Sequence, residues 1–167
     1  MTSAYHKIMD NLDQLRLCGV LKGRVFTGPK TVSLHITNIC NLRCIYCWYH
    51  SPLRKDYDFI DRKKKEMPYE VFKNLVDDCY ELKVERIQLS AQGEPSLHSR
   101  FVDMVKYLNK KRFNISLVSN GTFKRSHLRH LLSVDDICID LSAADSESYR
   151  GLQSHKTQDL FGTVKRN

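Results

Sequence analysis

Four short runs of β-branched and aliphatic residues, at 31–37, 84–91, 113–119 and 136–141, recur along this chain, each with a helix-patterned stretch after it. Strands separated by single helices do not pair as tight hairpins. They pair in parallel, through right-handed crossovers that place the helices outside the sheet. The expected class is α/β, closed either as an open doubly wound sheet or as part of a barrel. In the first run Val32, Leu34 and Ile36 alternate onto one face. Pro68 suits a first helical turn, and Val71, Phe72, Leu75, Val76, Cys79 and Leu82 follow at helical spacing up to Lys83. Residues 99–111, 125–132, 146–152 and 161–167 read as further helices. An amphipathic helix over 3–18 comes first, ended by Gly19 and followed by a loop around Gly23, Gly28 and Pro29. The expected division is an N-terminal helix and linker over 1–30 and a β/α core over 31–167.

In either closure, chemistry gathers beyond the carboxyl ends of the strands. The unusual residues of this sequence fall there. Cys40, Cys44 and Cys47 follow the first strand in the spacing Cys-x3-Cys-x2-Cys; Gln92-Gly93-Glu94-Pro95 follows the second, Asn120-Gly121 the third and Ser142 the fourth. Three thiolates that close can hold a metal centre and leave one coordination position open, which is how a metal does chemistry rather than brace a fold. The competing readings are a structural zinc completed by His35, His50 or Cys18, and three cysteines that merely share a helix face. The loop character of Asn38 and Asn41 argues against a shared helix face, and the missing second Cys-x2-Cys pair argues against zinc. Cys79 on a helix stripe and Cys138 in a strand read as core residues.

The chain has 167 residues and six cysteines. No apolar run approaches the roughly 20 residues of a membrane span, and the N-terminus lacks a secretory pattern. The expectation is a cytoplasmic protein with reduced thiols and no membrane partner. The net charge is +8, and seven basic residues with no acid lie between Lys106 and Arg129. Part of this charge closes a helix, complementing its negative end.

The cysteine loop in this setting resembles the radical S-adenosylmethionine (radical SAM) enzymes, which carry Cys-x3-Cys-x2-Cys after the first strand of a partial (β/α)6 TIM-like barrel. The resemblance runs from about Thr31 to Gly151. It implies that Cys40, Cys44 and Cys47 bind three irons of a [4Fe–4S] cluster, the fourth iron being chelated by SAM. It puts Tyr46 where the backbone meets the adenine, and Glu94 where a carboxylate receives the SAM ammonium. Gly93 would let the backbone pass close to the ligand, although Gln92 departs from the usual first glycine. Asn120 falls near the ribose, Ser142 at the ribose or carboxylate, and Arg150 at the SAM carboxylate. The implied reaction is reductive cleavage of SAM to a 5′-deoxyadenosyl radical, which abstracts hydrogen from a peptide or small-molecule substrate. The implied partner is a low-potential donor of the flavodoxin or ferredoxin type. Such barrels have six strands and about four β-α units are legible here, so the core is expected to be C-terminally incomplete by on the order of 50 residues. Two other functions compete: an RNA-modifying radical SAM enzyme, drawing on Arg54, Lys55, the lysines at 63–65, Lys124 and Arg125, and a non-enzymatic zinc module.

Overall fold

A computed structural model describes residues 11–54, 63–90, 92–153 and 160–167. Helix α1 (Asn11–Lys22) is followed by β1 (Thr31–His35), α2 (Tyr69–Glu81), β2 (Arg86–Ser90), a 3-10 turn (Pro95–Leu97) and α3 (Phe101–Lys110). Then come β3 (Asn114–Ser119), α4 (Arg125–Leu131), β4 (Asp136–Ile139), α5 (Ser146–Gln153) and α6 (Leu160–Arg166). The four strands form one parallel sheet in the order β1-β2-β3-β4. This is the expected α/β alternation.

Register gives the sheet one dry and one wet face. Leu34 aligns with Leu89, Leu89 with Leu117 and Leu117 with Ile137. On that face Ile36, Ile87, Leu89, Ile115 and Leu117 are buried against Phe72 and Val76 of α2 and against Phe101, Met104 and Leu108 of α3. The opposite face carries the row Ser33, Gln88, Ser116 and Asp136, with His35 beside Ser90 above it. An ion pair at 3.1 Å, Arg86 to Asp136, crosses β3 on this side. The polar concave face rises toward the strand ends where the cysteine loop lies.

Several expectations are corrected. Gly19 does not end α1: a Cβ there would stand 2.7 Å from the Arg24 carbonyl oxygen, so Gly19 lets the chain beyond the helix fold back against it. The stop is Gly23, whose φ of +59° is left-handed, with Arg24 N–H bonded back to the Gly19 carbonyl at 3.0 Å. Residues 1–10 lie outside the described residues. Pro68 precedes α2 as its cap, and Val71, Leu75 and Leu82 are exposed while Phe72, Val76 and Cys79 are buried. Cys138 is exposed rather than core: it pairs with Val118 on the wet face, and β4, last in the sheet order, is exposed along its whole length. Among the described residues no helix is long and apolar enough to cross a membrane.

Candidate functional site

The cysteine loop is anchored at both ends by its own polar residues. Thr37 donates its hydroxyl to the Lys65 carbonyl at 3.0 Å and accepts the Ile39 N–H at 3.0 Å. Asn38 donates to the Tyr49 hydroxyl (2.9 Å) and the Lys63 carbonyl (2.8 Å), and accepts the Lys65 N–H (2.7 Å). Between these anchors the three thiols are free and partly buried. Backbone N–H groups are aimed at two of the sulfurs: Leu42 at Cys40 (3.4 Å), and Tyr49 (3.4 Å) and His50 (3.2 Å) at Cys47. Burial pushes the Cys40 and Cys44 thiols up to about 11, so protein surroundings alone keep them protonated. Among the described residues no three His, Cys, Asp or Glu donors converge as a single metal ion requires. A polynuclear cluster, whose ligands attach to separate irons, takes a more widely spread set.

The loop after β2 is locked to the cysteine loop through the main chain. Gly93 N–H bonds the Thr37 carbonyl at 3.2 Å, and Glu94 N–H bonds the Ile39 carbonyl at 2.8 Å. A Cβ on Gly93 would overlap the Ile39 carbonyl oxygen and stand 2.6 Å from the Asn38 carbonyl carbon. Gly93 is therefore required by the approach of one protein backbone to another.

Glu94 is 1% exposed. Its Oε1 accepts the Ser96 N–H (3.1 Å) and the Ser119 hydroxyl (2.8 Å), and its Oε2 accepts the Asn120 N–H (2.8 Å). A carboxylate has about four acceptor directions, so one remains open on Oε2. No ion pair reaches Glu94 among the described residues. A buried carboxylate held only by neutral donors is suited to receive a cation.

Asn120 holds the loop rather than standing free: its Nδ2 donates to Asn41 Oδ1 at 2.9 Å and lies 3.9 Å from Cys40 Sγ. The Tyr46 hydroxyl lies 2.8 Å from Asp140 Oδ2 and 2.9 Å from Ser142 Oγ. Burial and the Asp140 carboxylate hold the Tyr46 phenol well above its usual range. Cys40, Gly93, Glu94 and Asn120 line one cavity of about 430 Å³, together with Trp48 and Asp140. Cys44 and Tyr46 sit on the loop's other side, toward α5. Arg150 is exposed on α5, whose buried face presents Tyr149 and Gln153 instead.

The Radical SAM superfamily profile matches residues 34–166. The chain belongs to the radical SAM superfamily. That family implies SAM and an iron–sulfur cluster, and the spread thiols, the N–H donors on their sulfurs and the cation-ready carboxylate fit both. The chain is 29% identical over 113 residues to a tungsten-containing aldehyde ferredoxin oxidoreductase cofactor-modifying protein of Pyrococcus furiosus, covering 67% of this chain and 29% of that protein. It is 30% identical over 104 residues to a GTP 3′,8-cyclase of Aquifex aeolicus, covering 61% of this chain and 31% of that one. It therefore spans about a third of the length of either relative. The crystal structure of Streptococcus suis SuiB bound to its precursor peptide SuiA superposes with a TM-score of 0.69 at 13% identity, over 93% of this chain and 34% of SuiB. That likeness shows the barrel-type fold.

The radical SAM loop also engages residues that sequence reasoning passed over. Asp140 stands two positions before Ser142 at a strand end, where a second polar residue is a readable signal. Ser119 ends β3 with its hydroxyl on Glu94, and Tyr149 and Gln153 form a polar i,i+4 pair on one helix face. Nothing local distinguishes those last three from ordinary surface residues.

Proposed function

We propose that this chain is the SAM-cleaving core of a radical SAM enzyme that abstracts hydrogen from a peptide or small-molecule substrate. One observation carries the reading. Cys40, Gly93, Glu94 and Asn120 meet at a single cavity in which a buried carboxylate keeps an acceptor position open. Cys40, Cys44 and Cys47 hold a [4Fe–4S] cluster with one iron left for the amino and carboxylate groups of SAM. The N–H groups of Leu42, Tyr49 and His50 favour the thiolate forms. Glu94 takes the SAM ammonium on Oε2. Tyr46 offers its backbone to the adenine region, and Asp140 and Ser142 offer oxygens to the ribose. Asn120 acts through Asn41, fixing the cysteine loop against β3. Arg150, exposed on α5, is the candidate partner of the SAM carboxylate. When bound, cluster and SAM supply reductive sulfonium cleavage and, from it, hydrogen abstraction at an unreactive C–H bond.

The polar sheet face below the cavity, with His35, Gln88 and Ser90, supplies hydrogen-bonding groups for a polar substrate. A second hollow of about 320 Å³ reaches Cys40 between Arg43 and Lys64. Its basic rim suits an acidic flavodoxin or ferredoxin as electron donor. The catalytic unit is residues 31–167, with 1–30 an appended helix and linker, and the reduced thiols suit the cytoplasm.

Anaerobic reconstitution with iron and sulfide tests this. The expected product is a brown protein that, with SAM and dithionite, yields methionine and 5′-deoxyadenosine. A colourless protein holding zinc would establish the non-enzymatic alternative. Tight RNA binding with a steep salt dependence would move the substrate class to RNA.

A further inference from the structure

Two polar side chains on one face of α5 are buried against the cysteine loop. Tyr149 and Gln153, one turn apart, are 1% and 0% exposed. Gln153 Oε1 accepts the Cys44 thiol at 3.1 Å, and its Nε2 donates to the Tyr46 hydroxyl at 3.3 Å. The backbone joins in: Arg43 N–H bonds the Gln153 carbonyl (3.4 Å) and Ile45 N–H the Leu152 carbonyl (2.8 Å). The Tyr149 ring packs on Phe161 and shares a buried cluster with Leu42, against which Cys40 and Cys44 also pack. Its hydroxyl is buried with no hydrogen-bond partner among the described residues.

A primary amide is suited to both states of a cysteine. Its oxygen accepts from a thiol; turned over, its nitrogen donates to a thiolate. At Gln153 the turn trades one hydrogen bond for another: the single Tyr46 proton, given to Asp140 at 2.8 Å, passes to the amide oxygen, while Asp140 keeps the Ser142 hydroxyl. The Tyr149 hydroxyl, buried and without a partner among the described residues, has an O–H to give.

We infer that Gln153 is a positioning residue of the iron–sulfur site: with Cys44 held as a thiolate, its amide turns over, gives an N–H to the sulfur and takes the Tyr46 hydroxyl on its oxygen, while Tyr149 supplies a second donor from the same helix face. The inference rests on the cluster being bound through Cys44. Donors to ligand sulfur draw charge from the cluster, stabilise its reduced state and raise its potential. The same amide joins the cluster to the Tyr46, Asp140 and Ser142 group.

The test is the midpoint potential of the reconstituted protein without SAM, followed by electron paramagnetic resonance. Gln153→Met keeps length and burial and removes both polar ends. Gln153→Glu keeps acceptors but cannot donate when ionised. Tyr149→Phe removes one O–H. With iron content equal to wild type, the expected result is a more negative potential in Gln153→Met, more negative again in Gln153→Glu, and a smaller negative shift in Tyr149→Phe. A Gln153→Met protein with wild-type iron and wild-type potential overturns the inference. So does a Gln153→Met protein that takes up no iron, since Gln153 then holds the loop rather than tuning the cluster. An unmoved Tyr149→Phe removes Tyr149 from the pair. Wild-type protein that takes up no iron, or Cys44→Ala that keeps it all, instead defeats the cluster assignment itself.

Discussion

The Ser119 hydroxyl donates to Glu94 Oε1 at 2.8 Å across the ends of β2 and β3, with both side chains buried. The bond orients the carboxylate from behind and leaves its Oε2 edge toward the cavity. Glu94→Gln replaces one acceptor oxygen with an N–H facing donors, and removes the charge. A charge-assisted hydrogen bond contributes about 1.5–3 kcal/mol, so SAM affinity should fall about 10- to 100-fold while iron content holds. Equilibrium binding to the reconstituted protein measures it; unchanged affinity removes Glu94 from the SAM site.

Cysteine substitutions should divide sharply. Cys40→Ala, Cys44→Ala and Cys47→Ala each leave two thiolates and should abolish stable iron uptake. Cys79→Ala, buried on α2, should keep the cluster and cost about 1 kcal/mol or somewhat more in packing. Cys138→Ala, exposed on the wet face, should change neither iron nor melting temperature. Iron and sulfide analysis decides; loss of iron from the Cys79 variant equal to that of Cys44 sinks the ligand assignment.

Gly93→Ala tests whether the glycine serves the loop or a ligand. The added methyl meets the Asn38–Ile39 backbone, which has no flexible end to give way. Overpacking of this kind costs about 1–3 kcal/mol. The apo protein should therefore melt several degrees lower, before any cofactor is added. An unchanged apo melt would return Gly93 to a ligand-facing role.

An acid-sensitive clamp holds the segment after the cysteine loop. Glu66 accepts the Ser99 N–H at 2.7 Å and the Ser99 hydroxyl at 2.6 Å. Burial works against the charged form, but the two Ser99 bonds outweigh it and hold the carboxyl below its ordinary value. A carboxylate depressed on folding adds stability above its unfolded pKa and loses it as pH falls through the folded value. The melting-temperature gap between wild type and Glu66→Gln should be constant above about pH 5 and shrink below about pH 4. A gap independent of pH would show that Glu66 acts by packing alone.

The alternation of strands and helices was legible because each strand carries its apolar residues at period two and each helix at its own spacing. The cysteine loop was legible because its three cysteines are close in sequence. What escaped depends on register. Cys138 looks like its neighbours Ile137 and Ile139 until pairing with Val118 assigns it to the wet face. Glu94 could be placed after β2, but its partners Ser119 and Asn120 stand some 25 residues on, and no local pattern announces them. Gly19 and Gly23 are interchangeable as letters; only the carbonyl of Arg24 and a positive φ tell them apart.

The two backbone hydrogen bonds from Gly93 and Glu94 to Thr37 and Ile39 have one more effect. They make the thiol-bearing loop and the carboxylate-bearing loop a single moving part. The span from sulfur to carboxylate is then set by peptide geometry, which side-chain replacements around it do not alter. Substitutions lining the cavity can retune what is bound there while the spacing between its two ends travels unchanged from one variant to the next.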